Sequence, residues 1–272
     1  MAGVTLDEAI ETCNFLQQRG YQLTLGYWNS ATDSPQEVVA AYQEAINAIR
    51  DNNLSSSLSI KAWAFNHDKD FYKHLVRHAH NLNVSLHHDS HLVDSADAIF
   101  NMILDGLSLS GNQVGCTLPA RWKRSVNDTQ FATEHGLNVR VVKGQASDPN
   151  YPDIETDAGY IDIIGRLAGK CSIVEVATHN YSLIERSIDI LKEKHTQCEI
   201  QLLYGLPVGH ILPFVEEKQV PVRIYVPYGN GWLMYVLSSI IRNPRVIYYL
   251  AKEFMLTDYK NLFPILQPLG KT

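Results

Sequence analysis

The sequence is short of the features that tie a chain to a special environment. It has four cysteines in 272 residues, Cys13, Cys116, Cys171 and Cys198, far apart and with no CxxC pair. They read as reduced core thiols of a cytoplasmic protein. There is no excess of positive charge: 23 Lys and Arg stand against 29 Asp and Glu, a net charge of −6. A general nucleic-acid partner, which needs a basic surface, is therefore excluded. No apolar run approaches the ~18 residues needed to span a bilayer. The first residues, MAGVTLDEAIETC, are amphipathic and acidic and lack the pattern of a signal peptide. There is no linker, low-complexity tract or short-period repeat, and no GxGxxG follows the first strand-like run, which argues against an open doubly wound sheet.

What is present is a regular alternation. The hydrophobic share of 45% is enough for a sizeable core. Short β-branched or apolar runs fall at residues 22–28, 57–65, 84–88, 113–118, 138–143, 172–177, 199–204 and 221–226. Helix-like stretches separate them, as right-handed strand–helix crossovers require. Residues 35–50 carry an apolar face at helical spacing. Ser34 is the N-cap, Pro35 the first helical residue and Glu37 the third, a capping box. Eight such units predict an α/β fold, a single (β/α)8 barrel over residues 1–272, with one more short helix after Pro244. In such a barrel the chemistry lies at the C-terminal ends of the strands.

Read strand by strand, those ends are polar. The fifth closes on VRVVKG, where Arg140 and Lys143 could hold a diphosphate or stabilise an anionic reduced ring and Gly144 admits close backbone approach; a solvated strand end is the plainer reading. The sixth closes on VATHN, bringing Thr178, His179 and Asn180 together for a polar ligand. Tyr204, Tyr225 and Tyr228 flank glycine turns after the seventh and eighth, where aromatic walls suit a flat ring but also close ordinary barrels. Lys61, inside the apolar run SIKAWAF, either snorkels outwards or faces a ligand in the barrel; without an anionic partner its burial is costly. The histidine-rich HHDSH at residues 87–91 raises the alternative of a metal-dependent hydrolase barrel. The HExxH spacing is missing, however, and no carboxylate closes the eighth strand.

Taken as an ordered set, SIKAWAF, VRVVKG, VATHN, QLLYG and RIYVPYG, the last followed by Trp232 and Tyr235, resemble the proline dehydrogenase family of FAD-dependent barrels from about Gly20 to about Tyr249. The resemblance implies that Arg140 lies near the flavin ring and Lys143 and Gly144 near its phosphate arm. It places Thr178, His179 and Asn180 at the adenosine end and Glu199 near the ribose. It makes Lys61 the approach to a substrate carboxylate, with Tyr225 and Tyr235 shaping the ring pocket. The departures fall mostly on the substrate side. Ser238 and Ser239 stand where the family carries paired arginines, Ala146 for a tyrosine, His87 for an aspartate on strand three, Pro119 for a glutamine and Gly26 for an aspartate on strand one. Arg242, one helical turn beyond Ser238, could reach back as a partial replacement.

The family's reaction takes a hydride from the ring carbon beside nitrogen to flavin N5 and leaves a cyclic imine. Each lost arginine removes a charge-assisted hydrogen bond of about 1.5–3 kcal/mol to a carboxylate. The favoured expectation is thus oxidation of a proline-like ring whose carboxylate is masked or absent, either a small molecule or a carrier-bound prolyl group. Electrons would pass to a quinone or to oxygen, and peripheral membrane contact would accompany the former. The alternatives are ordinary proline oxidation with Arg242 rebuilding the clamp, a non-catalytic flavin or ligand-binding barrel, and the metal hydrolase.

Overall fold

A computed structural model of the chain describes residues 2–231 apart from Asn112, Asp153 and Pro207. Eight parallel strands close into a barrel in sequence order: β1 Gln22–Tyr27, β2 Ser56–Ile60, β3 Leu86–His88, β4 Val114–Pro119, β5 Asn138–Val142, β6 Ile173–Ala177, β7 Gln197–Leu203 and β8 Val222–Tyr228. β8 pairs with β1 to complete the ring. Helix α1 (Leu6–Gln17) precedes β1. The helices α2 (Pro35–Asp51), α3 (Lys69–Asn81), α4 (Ala96–Ser110), α5 (Ser125–Glu134), α6 (Thr156–Leu167), α7 (Tyr181–Glu193) and α8 (Leu212–Glu217) follow β1 to β7 in turn. The helix expected beyond β8 and the one after Pro244 lie outside the described residues. No helix among the described residues is long and apolar enough to cross a membrane.

Local chemistry accounts for the element ends. The capping box expected at α2 is formed: the Glu37 backbone N–H donates to Ser34 Oγ, and the Ser34 backbone N–H donates to Glu37 Oε2 at 2.7 Å. The second strand is shorter than expected. It stops at Ile60, and Ala62–Phe65 coils into a 3-10 turn. The cause is visible at Lys61, whose backbone N–H leaves the ladder and donates to the Tyr42 hydroxyl at 2.9 Å. Asn66 and His67 then take left-handed conformations, with φ of 57° and 54°, and turn the chain into α3.

Side-chain alternation divides the barrel into two environments. Leu23, Leu25, Leu58, Ile60, Val139, Val141, Val174, Val176, Ile200 and Leu202 point outwards and are fully buried under the helices. The inward set is polar: Gln201 Nε2 donates to Thr24 Oγ1 at 3.1 Å, and Arg140 Nη1 to Ser59 Oγ at 3.3 Å. Barrels usually fill this space with branched aliphatic side chains. Here ion pairs fill it, because buried charge is tolerated only when paired.

Candidate active site

At the C-terminal mouth, one carboxylate organises the site. Asp89 follows β3 directly. Its Oδ1 accepts from Ser59 Oγ at 2.5 Å and from Arg140 Nη1 at 2.8 Å. Its Oδ2 lies 3.3 Å from Lys61 Nζ and accepts from the Tyr225 hydroxyl at 3.3 Å. Burial works to raise the Asp89 pKa, but Lys61, Arg140 and the Ser59 hydrogen bond outweigh it, and the group is held below its ordinary value. Lys61, 3% exposed, also donates to Tyr27 O at 2.9 Å, meets the Tyr225 hydroxyl at 3.4 Å and sits 4.6 Å from the Trp28 ring centroid. It faces into the barrel. Burial, and next the Asp89 charge, raise the Tyr225 pKa, so its hydroxyl stays a donor.

Below this cluster lies a second acid. Glu175 Oε2 accepts from Arg140 Nε at 3.2 Å and from Gln201 Nε2 at 3.1 Å. Its Oε1 lies 3.6 Å from His87 Nδ1. Burial, and then the Arg140 charge, push His87 down to about 3, so it is neutral at pH 7. Burial opposes ionisation of Glu175, but nearby positive charge outweighs it: that of His87 when protonated, and those of Arg140 and Arg223. With His87 neutral, the two arginines do this. Arg140 is thus gripped at Nε and Nη1 by two carboxylates, while among the described residues its Nη2 is buried without a hydrogen-bond partner. Thr117 Oγ1, on β4 in register with Arg140, and His87 Nε2 are orphaned in the same way. Buried polar atoms are seldom left so, and Arg140 Nη2 and Thr117 Oγ1, in register on neighbouring strands, are where a polar ligand could complete the structure.

The rim carries the other residues expected at the site. Lys143 lies just past the end of β5 and pairs with Asp157 at 2.6 Å. Asp157, from the first turn of α6, also accepts from Asn180 Nδ2 at 3.4 Å. It therefore joins the loops after β5 and β6 and brings Lys143 and Asn180 together. Gly144 has φ +89°, and a Cβ there would come within 2.8 Å of Pro119 Cβ. The structure needs glycine at this turn. Thr178 Oγ1 accepts from the Asn180 backbone N–H at 3.2 Å, Asn180 caps α7, and His179 Nε2 accepts from the Leu203 backbone N–H at 2.9 Å. These residues fit a flavin dinucleotide. Among the described residues Arg140 Nη2 has no partner and would be a donor to the ring, and the ion pair that holds Lys143 is half-exposed and worth about 0–1 kcal/mol, so a diphosphate could replace it.

Several expectations land elsewhere. Glu199 does not reach the mouth. It lies near the start of β7, paired with Arg223 at 2.5 Å, because only residues at strand ends project there. His87 lies one layer inside the barrel against Glu175, and the carboxylate of strand three is Asp89, two residues further on. The histidines of HHDSH diverge: His87 faces inwards, His88 packs edge-on against Tyr72, and His91 stacks on Trp63. Among the described residues no group of three His, Cys, Asp or Glu converges to hold a metal ion. Tyr235, Ser238, Ser239 and Arg242 lie outside the described residues. Asp89, Glu175, Thr117 and Asp157 were missed; for Asp89 the signal was an inward parity shared with His87.

A closed (β/α)8 barrel with a buried, paired cation cluster at the strand ends defines an enzyme of the TIM-barrel class. The sequence matches the family model described as proline dehydrogenase over residues 9–234, most of the chain, and the protein belongs to that family of oxidoreductases. Proline dehydrogenase 1 of Bacillus subtilis strain 168 is 25% identical over 272 residues, covering 94% of this chain and 89% of the relative. Proline dehydrogenase of Deinococcus radiodurans is 29% identical over 143 residues, covering 48% of this chain and 44% of its own. In fold, the chain is similar to proline utilization A of Bdellovibrio bacteriovorus, with a TM-score of 0.75 at 16% identity, over 98% of this chain and 34% of that one. The chain therefore spans about a third of that larger protein.

Proposed function

We propose that this chain oxidises a five-membered cyclic secondary amine related to proline, with FAD at the C-terminal mouth, and that the substrate's carboxylate is masked or absent. The observation that carries the substrate reading is the state of Lys61. Its ammonium is already met by Tyr27 O, Asp89, the Tyr225 hydroxyl and the Trp28 ring, and it is 3% exposed. Drawing it onto a substrate carboxylate would break the Asp89 pair, and Ser238 and Ser239 bring no charge to replace the paired arginines. An ester, an amide, a carrier-bound prolyl group or a simple cyclic amine needs neither change.

In the reaction the substrate loses a hydride from the carbon beside nitrogen and a proton from nitrogen, and a carbon–nitrogen double bond forms. Bound flavin supplies the hydride acceptor. Arg140 would hold the ring side, and Lys143, Gly144, Thr178 and Asn180 the dinucleotide arm. Tyr225 forms one wall of the pocket, kept in place by its hydrogen bond to Asp89. Trp28, whose ring centroid lies 4.6 Å from Lys61 Nζ, stands beside it. Electrons then leave to a quinone or to oxygen.

The test is anaerobic bleaching of the visible flavin band in the purified full chain. L-Prolinamide, L-proline methyl ester or pyrrolidine should reduce the flavin at least about tenfold faster than L-proline, the ratio expected for one lost charge-assisted contact. Equal rates with L-proline would overturn the masked-carboxylate reading. A colourless protein that takes up no FAD would overturn the flavin reading.

A further inference from the structure

We propose that Glu175 is a positioning residue that presents Arg140 to the flavin and, through its charge, sets how strongly the site favours an anionic form of that cofactor. This rests on the flavin reading above and goes beyond it, since that reading gives Glu175 no role. The guanidinium of Arg140 is held on two edges, by Glu175 Oε2 at Nε and by Asp89 Oδ1 at Nη1. Only Nη2 remains, and among the described residues it is buried with no partner. Two bonds fix a planar fork, so the direction of the third donor is set by the acids behind it.

The electrostatics follow from the same contacts. Reduced flavin can carry a negative charge that the oxidised ring does not. A lone arginine beneath it would favour the charged form strongly. Here two carboxylates share that arginine, and Lys61 is shared with one of them, so the buried cluster of Lys61, Arg140, Asp89 and Glu175 sums to zero. Glu175 is 6% exposed. Little water screens it, and its charge is felt across the barrel. Asp89 cannot be the adjustable member, because it also holds Lys61, Ser59 and Tyr225. Among the described residues Glu175 is hydrogen-bonded or ion-paired to Arg140, Gln201 and His87 alone.

Glu175→Gln is isosteric and can be accommodated. Its amide oxygen replaces Oε2 as acceptor for Arg140 and Gln201, and its amide NH2 faces the neutral His87, whose Nδ1 can accept. The readout is sulfite, which adds to oxidised flavin to give an anionic adduct and bleaches the visible band. E175Q should bind sulfite about tenfold more tightly than the parent protein. Its two-electron midpoint potential should rise by the equivalent of that tenfold, about 30 mV. Glu175→Asp keeps the charge but draws the carboxylate back from Arg140 Nε, so it should shift sulfite affinity less than E175Q does. A sulfite affinity unchanged in E175Q, or a shift in E175D as large as about tenfold in the same direction, overturns the role of the Glu175 charge. Either variant is informative alone should the other not fold. A protein that binds no FAD defeats the flavin reading; one that binds it while E175Q matches the parent defeats only the role of Glu175.

Discussion

Replacing Asp89 by asparagine tests the organisation of the site directly. The amide keeps the shape. Its oxygen can still accept from Ser59 and Arg140, where Oδ1 does so now at 2.5 and 2.8 Å. The other position becomes an NH2 facing Lys61 Nζ and the Tyr225 hydroxyl, which the carboxylate met at 3.3 Å each. One buried ammonium thus loses its counter-charge. Removing one partner of a fully buried pair costs about 3–5 kcal/mol. Asp89 is 16% exposed at its side chain and Lys61 keeps Tyr27 O, so the expected loss is nearer 2–3 kcal/mol. For a chain of this size that is a fall in Tm of roughly 4–12 °C. The pH dependence has a definite sign. The folded-state pKa of Asp89 is depressed, so its contribution is complete above the unfolded value of about 3.9 and is lost as pH falls through the folded value. The gap between parent and variant should be constant from pH 7 to 5 and shrink below about pH 4. Urea denaturation across that range measures it. A gap under about 0.5 kcal/mol at pH 7 would refute the idea that Asp89 holds the cluster together. A released Lys61 also makes a further demand: D89N should bind carboxylate-bearing ring analogues more tightly than the parent does.

Gly26→Ala places a Cβ in the volume of the Tyr225 hydroxyl and should cost about 1–3 kcal/mol; in a double-mutant cycle Tyr225→Phe should recover part of that loss. Tyr42→Phe leaves the buried Lys61 backbone N–H without its acceptor, with an expected loss of about 1–3 kcal/mol by denaturant titration. Burial pushes His87 down to about 3 and His88 down to about 4, and both are neutral in the fold. The unfolded chain takes up protons below about pH 6.5 that the native state refuses, so stability should decline from there downwards. His88→Asn, which keeps a donor for Gly115 O, should flatten that decline by at most about 1.4 kcal/mol per pH unit.

Much of the fold was legible because its signals are local. Alternating apolar runs, the Ser34 capping box and the VRVVKG and VATHN strand ends each announce an element from a few neighbouring residues, and the eight runs lie on the eight strands found. Errors arose where a distant group decides the outcome. The run through Phe65 looked like continuous strand, yet Tyr42 in α2 draws the Lys61 backbone out of the ladder. Glu199 looked available for a ribose until Arg223 of the next strand was seen to hold it. Asp89 sat beside the histidine that drew attention, and its importance appears only when β2, β5 and β8 bring Lys61, Arg140 and Tyr225 around it.

The sequence by itself determined the barrel, the family and which strand ends are polar, because periodicity and turn chemistry act over a few residues. Only the tertiary structure decided which charges neutralise one another. Lys61, Asp89, Arg140 and Glu175 are far apart in the chain, and closure of the ring brings them within hydrogen-bonding reach in a space with little water, where each charge must find its partner or not be buried at all.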